Sequence, residues 1–309
     1  MIVADQLTKR FNDFTAVAEL SLAVQPGQLL ALLGPNGAGK TTTVRMLSAI
    51  LKPSAGSAAV NGYDVVAQAG QVRRSVGLLT EQPGLYTRSS GLEYLQFFAR
   101  LYGLDDDTSR RRALELFERF AMPNTAHRRL GEYSKGMRQK VGLIRAMLHD
   151  PAVLLLDEPT SAMDPLSAKL VRDAVLEMRD HRRAIIVCTH NLAEAELLAD
   201  RIAIISYGRI IAQGTPPELK RQLLGQARFE VQLDRPINGQ LTELDQLVTV
   251  EYQGQSSLRF RTDDPHGTNP LVVRHLTAAG LGVVTLREMS ISLEQVYLSV
   301  VDGEQTWEH

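Results

Sequence analysis

The run Gly34-Pro35-Asn36-Gly37-Ala38-Gly39-Lys40-Thr41-Thr42 constrains this 309-residue chain more than any other feature. It fits G-x-x-x-x-G-K-[ST], and it lies between an apolar strand-length segment, Leu29–Leu33, and a helix-period segment, Lys40–Leu51. Glycines let the backbone wrap so closely that successive N–H groups point at phosphate oxygens. The helix N-terminus adds partial positive charge. Lys40 can reach β- and γ-phosphates, and the Thr41 hydroxyl can ligate Mg²⁺. The spacing predicts a nucleotide site at the end of a buried strand.

A second constellation narrows the reaction. Val153–Leu156 is an apolar strand that ends in Asp157-Glu158-Pro159. Asp157 stands where a carboxylate would hold Mg²⁺ or its water. Alternation along a strand places Glu158 on the other side, where it can polarise an attacking water. No guanine-reading motif accompanies the loop, which argues against a GTPase.

Residues 1–225 alternate short apolar runs with helix-period segments, the pattern of an α/β domain with a buried parallel sheet. Strands are predicted at Val76–Leu79, Ala184–Cys188 and Ile202–Ser206. Helices are predicted at Gly91–Tyr102, Thr108–Met122, Lys135–Leu148, Pro165–Arg179 and Asn191–Leu198. After residue 225 the pattern changes to half-wet strands at Phe229–Leu233, Val248–Tyr252 and Leu258–Arg261. A weak helix at Leu241–Leu247, a helix at Leu271–Ala279, a strand at Gly282–Leu286 and a last helix at Ser292–Val300 complete a βαββαβ order, the ferredoxin-like plan. Charge steps at the same place. Residues 226–309 hold six Arg, no Lys and twelve acids, whereas the whole chain has a net charge of −1. That balance gives no basic field for nucleic acid. The domains expected are 1–225, with a helical subdomain over about 85–148, and 226–309. Cys188 is the only cysteine, so no internal disulfide can form. No stretch of 18 continuous apolar residues is present to span a membrane.

The phosphate loop at 34–42, Tyr133-Ser134-Lys135-Gly136-Met137, the strand 153–158, Ser161-Ala162-Met163-Asp164 and Thr189-His190 follow one another in order. The set resembles the ATP-binding subunit of an ABC transporter. The last third, with Ser292-Leu293-Glu294-Gln295-Val296-Tyr297-Leu298, is similar to the C-terminal extension of exporter-type subunits for antibiotic, multidrug or sodium efflux. The resemblance implies an α/β P-loop NTPase fold of the ABC type with a helical subdomain and a small C-terminal α+β domain. It implies ATP and Mg²⁺ as ligands, Phe11 as the aromatic stacked on adenine, and His190 as the residue that contacts the γ-phosphate and orients water. By the same resemblance Ser134 and Gly136 touch the ATP of an opposite subunit, and Asp164 communicates across that dimer.

The signature and the segment after Val76–Leu79 both leave the family pattern. Lys135 replaces the first glycine of the LSGGQ signature. Glu81, not Gln82, aligns with the Mg²⁺-contacting glutamine, and both positions stay open for that contact. The expected protein is an ATPase that pairs head to tail with a second copy. It would power export through an integral membrane permease, at the cytoplasmic face of the cell membrane, with contact through the Gln82–Leu101 region. A non-transport ABC ATPase acting on ribosomes or DNA is the alternative. The 226–309 segment is expected to stabilise the dimer, with a ligand-sensing role as its rival.

Overall fold

The computed structural model describes residues 1–161, 163–219, 226–237 and 244–289. They fall into two compact units, Met1–Pro216 and Pro217–His309. In chain order the first unit holds β1 (Ile2–Phe11), β2 (Phe14–Val24), β3 (Leu29–Leu33), α1 (Lys40–Leu47), β4 (Ala55–Val60), β5 (Tyr63–Asp64), α2 (Ala69–Ser75) and β6 (Val76–Leu79). It continues with α3 (Gly91–Leu101), α4 (Asp106–Arg119), α5 (Lys135–Met147), β7 (Val153–Asp157), α6 (Pro165–Glu177), β8 (Ala184–Thr189), α7 (Leu192–Leu198), β9 (Arg201–Ser206) and β10 (Arg209–Gly214).

The central sheet runs β10-β9-β3-β8-β7-β6. Five of its strands are parallel, and β10 pairs antiparallel at one edge. Its strands read as unbroken apolar runs because both faces are covered. Leu154, Leu156, Ile185 and Val187 enter one core, with the helices α3 to α6. Their alternates Val153, Leu155, Ala184, Ile186 and Cys188 enter the other, with α1 and the first strands. Cys188 is therefore a small buried hydrophobe, and burial pushes its thiol well above the usual range.

A second sheet, β2-β1-β4-β5, is antiparallel and falls outside the sequence expectations. Its strands lack clean alternation for a visible reason. Gln6 in β1 and Glu19 in β2 have φ of 50° and 53°, and the β1–β2 register shifts three times. Such bulges break the period-2 signal. The helix expected over Lys40–Leu51 stops at Leu47, and the chain turns at Ala49 with φ 55°. α3 starts with a full capping box: the Ser90 hydroxyl accepts from Glu93 N and the Glu93 carboxylate accepts from Ser90 N. α4 starts at Asp106, two residues before the expected start, because the Asp105 side chain caps it by accepting from Thr108 N.

The second unit holds β11 (Ala227–Leu233), β12 (Thr249–Gln253), β13 (Ser257–Thr262), α8 (Pro265–Ala278) and β14 (Val283–Glu288). The sheet order is β12-β13-β11-β14 with every pair antiparallel, the strand arrangement of a ferredoxin-like sheet. Phe229, Val231, Leu258 and Phe260 face Val272 and Leu276 of α8. On the other face Glu230 accepts from Arg259 at 2.9 Å and Arg287 at 2.5 Å, which keeps its carboxyl below the usual range. Within the segment expected as a weak helix, Leu244–Gln246 is one 3₁₀ turn, and 241–243 lie outside the described residues. α8 begins at Pro265 rather than Leu271, since Pro265 suits a first turn capped by Asp264. The helix expected at Ser292–Val300 lies outside the described residues.

One buried titratable group gives the first unit a pH signature. The His149 ring stacks on Tyr102 with centroids 3.7 Å apart, and burial lowers its pKa from 6.5 to about 4. The unfolded chain therefore binds a proton between these values that the fold does not. Stability from this group is present above pH 6.5 and is lost as pH falls toward 4. Urea unfolding at pH 7 and pH 5 should show a loss on the order of 1–2 kcal/mol from His149 at the lower pH. His149→Phe, which keeps a ring on Tyr102, should remove that part of the loss.

Candidate active site

Parallel pairing brings three strand ends side by side. β3 delivers Gly34, β8 delivers Thr189 and His190, and β7 delivers Asp157 and Glu158. Sites in open α/β sheets form at such carboxyl ends. A cleft of about 480 Å³ opens there, lined by Asn36, Gly37, Gly39, Lys40, Thr41 and Thr42 from the loop and α1. Glu81, Asp157 and Glu158 line it from the other strands, and Phe14 and Ala16 from β2.

The loop needs its glycines. Gly39 stands at the α1 N-terminus with φ 106°, and a Cβ there would lie 2.7 Å from Ala16 O. Gly37 also has positive φ, 84°. Lys40 is 5% exposed. Its ammonium donates to Gly34 O at 2.7 Å and Pro35 O at 3.1 Å, and lies 3.5 Å from Glu158 Oε1. Such a cation, held by backbone carbonyls at the loop mouth, can meet phosphate oxygens. Ala38 is buried, and its carbonyl accepts from Gly208 N.

The Thr41 hydroxyl donates to Asp157 Oδ2 at 2.7 Å. Asp157 Oδ1 is buried and has no hydrogen-bond partner among the described residues. Burial raises the Asp157 pKa, and the Thr41 hydrogen bond opposes the rise. An orphaned carboxylate oxygen beside a threonine hydroxyl and Glu81 suits a hard divalent cation such as Mg²⁺. Among the described residues no three His, Cys, Asp or Glu side chains cluster as a complete metal cage. A cation that shares its ligands with phosphate and water needs none.

Glu158 is turned differently from the expectation for an extended strand. Its φ is 51°, so the chain turns at this residue and the carboxylate faces the same cleft as Asp157 instead of the opposite side. His190 Nδ1 lies 3.0 and 2.9 Å from the two Glu158 oxygens. A buried carboxylate held between Lys40 and an exposed imidazole can accept or share a proton with a water in the cleft. Behind it, Glu194 of α7 is 3% exposed and accepts from Thr160 and Thr189, both at 2.7 Å. Those hydroxyls belong to the segments that carry Glu158 and His190. Glu194 gave no sequence signal, because Thr160 is 34 residues away and only the fold brings it to the same carboxylate as Thr189.

Apart from Glu81, the other candidate residues do not line this cleft. Phe11 is not among its lining residues; the Lys9 ammonium sits 5.0 Å from its ring. Phe14, its cross-strand partner in the β1–β2 hairpin, lines the cleft instead. Glu81 lines the cleft and Gln82 does not, while the Gln82 carbonyl accepts from Thr80. Ser134 caps α5, accepting from Met137 N at 3.2 Å, and remains exposed. Gly136 and Asp164 are also off the cleft. Asp164 caps α6 and accepts from Ser167 N, which holds its carboxyl below the usual range.

Residues 17–161 match the family model described as ABC transporter. The chain is 38% identical over 219 residues to the ABC transporter ATP-binding protein NatA of Bacillus subtilis, covering 69% of this chain and 89% of that protein. It is 37% identical over 309 residues to the daunorubicin resistance ATP-binding protein DrrA3 of Streptomyces coeruleorubidus, covering 98% and 96%. A solved structure of an ATP binding subunit of an ABC transporter superimposes with a TM-score of 0.67 at 30% identity. That match covers 72% of this chain and 92% of the other.

Asp157 gives a test of the cleft's electrostatics. Asp157→Asn removes a buried charge whose partner is absent without ligands. Without Mg²⁺ or nucleotide the variant should melt at the wild-type temperature or a few degrees higher, on the order of 1 kcal/mol. Adding Mg²⁺ with a non-hydrolysable ATP analogue should stabilise wild type more than the variant. Scanning calorimetry with and without these ligands measures both.

Proposed function

The chain belongs to the family of ABC transporter ATP-binding proteins, and from that premise we propose that two copies of it bind and hydrolyse two ATP molecules head to tail and so drive export through a membrane permease. The observation that carries the proposal is the single cleft that gathers Lys40, Thr41, Asp157 and Glu158, with His190 on the Glu158 carboxylate. Lys40 and the loop N–H groups bind the β- and γ-phosphates. Thr41 and Asp157, with Glu81, would hold Mg²⁺, which would supply positive charge against the triphosphate. Glu158 polarises water toward the γ-phosphorus, and His190 orients that water and shares the proton. Phe14, which lines the cleft, and Phe11, its hairpin partner, offer aromatic faces for adenine.

Ser134 and Gly136 sit at the exposed α5 N-terminus, where backbone N–H groups can meet the γ-phosphate of the facing subunit's ATP. Asp164, at the exposed start of α6, contacts the facing subunit. The motion passes to a separate permease at the cytoplasmic face; among the described residues no helix is long and apolar enough to cross a membrane. An aromatic patch formed by α3 and Tyr86 of the segment before it supports a docking place for it. Tyr86, Phe97 and Leu101 are exposed there, and Tyr86 packs on Tyr94, Phe97 and Phe98. The Tyr94 hydroxyl donates to Gly84 O, which links the patch to the segment after Glu81. Export is favoured because relatives over nearly the full length carry names of drug resistance. The domain 226–309 stabilises the dimer.

Glu158→Gln should keep ATP binding, cut turnover at least 100-fold and trap an ATP-bound dimer on gel filtration, because an amide is no general base. Turnover within about threefold of wild type, under 1 kcal/mol of barrier, would remove Glu158 from this role. Deletion of residues 226–309 in that background should leave ATP binding intact and weaken the trapped dimer. An unchanged dimer would contradict the role given to this domain.

A further inference from the structure

We propose that Gln139 is a positioning residue for hydrolysis: its buried amide holds the Glu158 backbone in the turned conformation that aims the carboxylate into the cleft. The proposal rests on the hydrolytic role given to Glu158. A non-glycine residue at φ 51° is strained, and such strain persists only where the surroundings over-determine it. Three hydrogen bonds fix the Glu158 main chain. Its N–H donates to Cys188 O at 2.9 Å, which anchors it to β8. Its carbonyl accepts from Ser161 N at 3.2 Å, which closes the local turn. The same carbonyl accepts from Gln139 Nε2 at 3.2 Å.

The first two bonds come from the neighbouring strand and from the turn itself. The third alone comes from a helix. Gln139 is 6% exposed and sits on α5, little more than a turn beyond Ser134, the cap of that helix. A shift or rotation of the α5 N-terminus therefore pulls on the carbonyl of the residue that carries the water-polarising carboxylate. Gln139 does not line the cleft, and its amide is hydrogen-bonded to the Glu158 carbonyl, so it affects the placement of Glu158 rather than the binding of nucleotide.

Gln139→Met keeps the length and apolar stem of the side chain and removes the donor. The expected result is a fall of tenfold or more in kcat for ATP, with KM for ATP within twofold of wild type and a similar melting temperature. A double-mutant cycle with Glu158→Gln decides how the amide acts. In the Glu158→Gln background Gln139→Met should change the residual turnover by less than twofold. An equal fold loss in both backgrounds would overturn the proposal, since the amide would then act through the fold or the dimer. Wild-type kcat in Gln139→Met would overturn it as well. Failure of the Glu158 assignment reads differently, as a Glu158→Gln single variant that still turns over. Gln139→Leu serves the same cycle if the methionine variant is insoluble.

Discussion

Parallel hydrogen bonding of β3 with β8, and of β8 with β7, is the constraint on which the rest depends. It sets three carboxyl ends level, so residues 34, 157 and 190 meet although more than a hundred positions separate the first from the others. The two apolar cores hold that register, because a slip of one residue would exchange the side chains of Leu154 and Leu155 between them. Every polar element of the cleft is mounted on this frame. The frame itself is apolar and both of its faces are covered, so its own burial offsets the cost of holding partly desolvated charges at its edge.

The cleft holds partly unsatisfied charge. Asp157 keeps one oxygen without a partner among the described residues, and Lys40 is shared between carbonyls and Glu158. Burial makes ionised Asp157 unfavourable, so the ligand-free fold gives up stability that a cation and a triphosphate can restore. The strain at Glu158 follows the same logic. A straight continuation of β7 would alternate its side chain away from Asp157; the left-handed turn aims both carboxylates into one space. Neighbouring bonds from Cys188, Ser161 and Gln139 hold the turn.

Much of this was legible in the sequence, where local pattern decides structure. The phosphate loop, the strand Val153–Leu156 and the helix from Lys135 each declare themselves within about a dozen residues. The β1–β2 sheet did not, because Gln6 and Glu19 interrupt its alternation. Phe14 escaped notice because cleft lining depends on the hairpin pairing of Phe11 with Phe14, which sequence spacing does not report. Glu194 and Gln139 escaped for the complementary reason: each is an ordinary helix residue until folding brings Thr160 to the one and the Glu158 carbonyl to the other. The alternation rule misplaced Glu158, since a strained φ leaves no trace in composition. Between Glu81 and Gln82 the sequence left two options, and only Glu81 lines the cleft.

We propose that each ATP is hydrolysed in a site built from Lys40 of one copy and Ser134 of another. Mixing two inactive variants, Lys40→Ala and Ser134→Phe, measures this directly through steady-state ATPase activity. In a head-to-tail heterodimer one site collects both lesions and the other has neither. Turnover absent from each variant alone should reappear on mixing and follow the fraction of heterodimer. A mixture as inactive as its parts, with heterodimers shown to form, would contradict it.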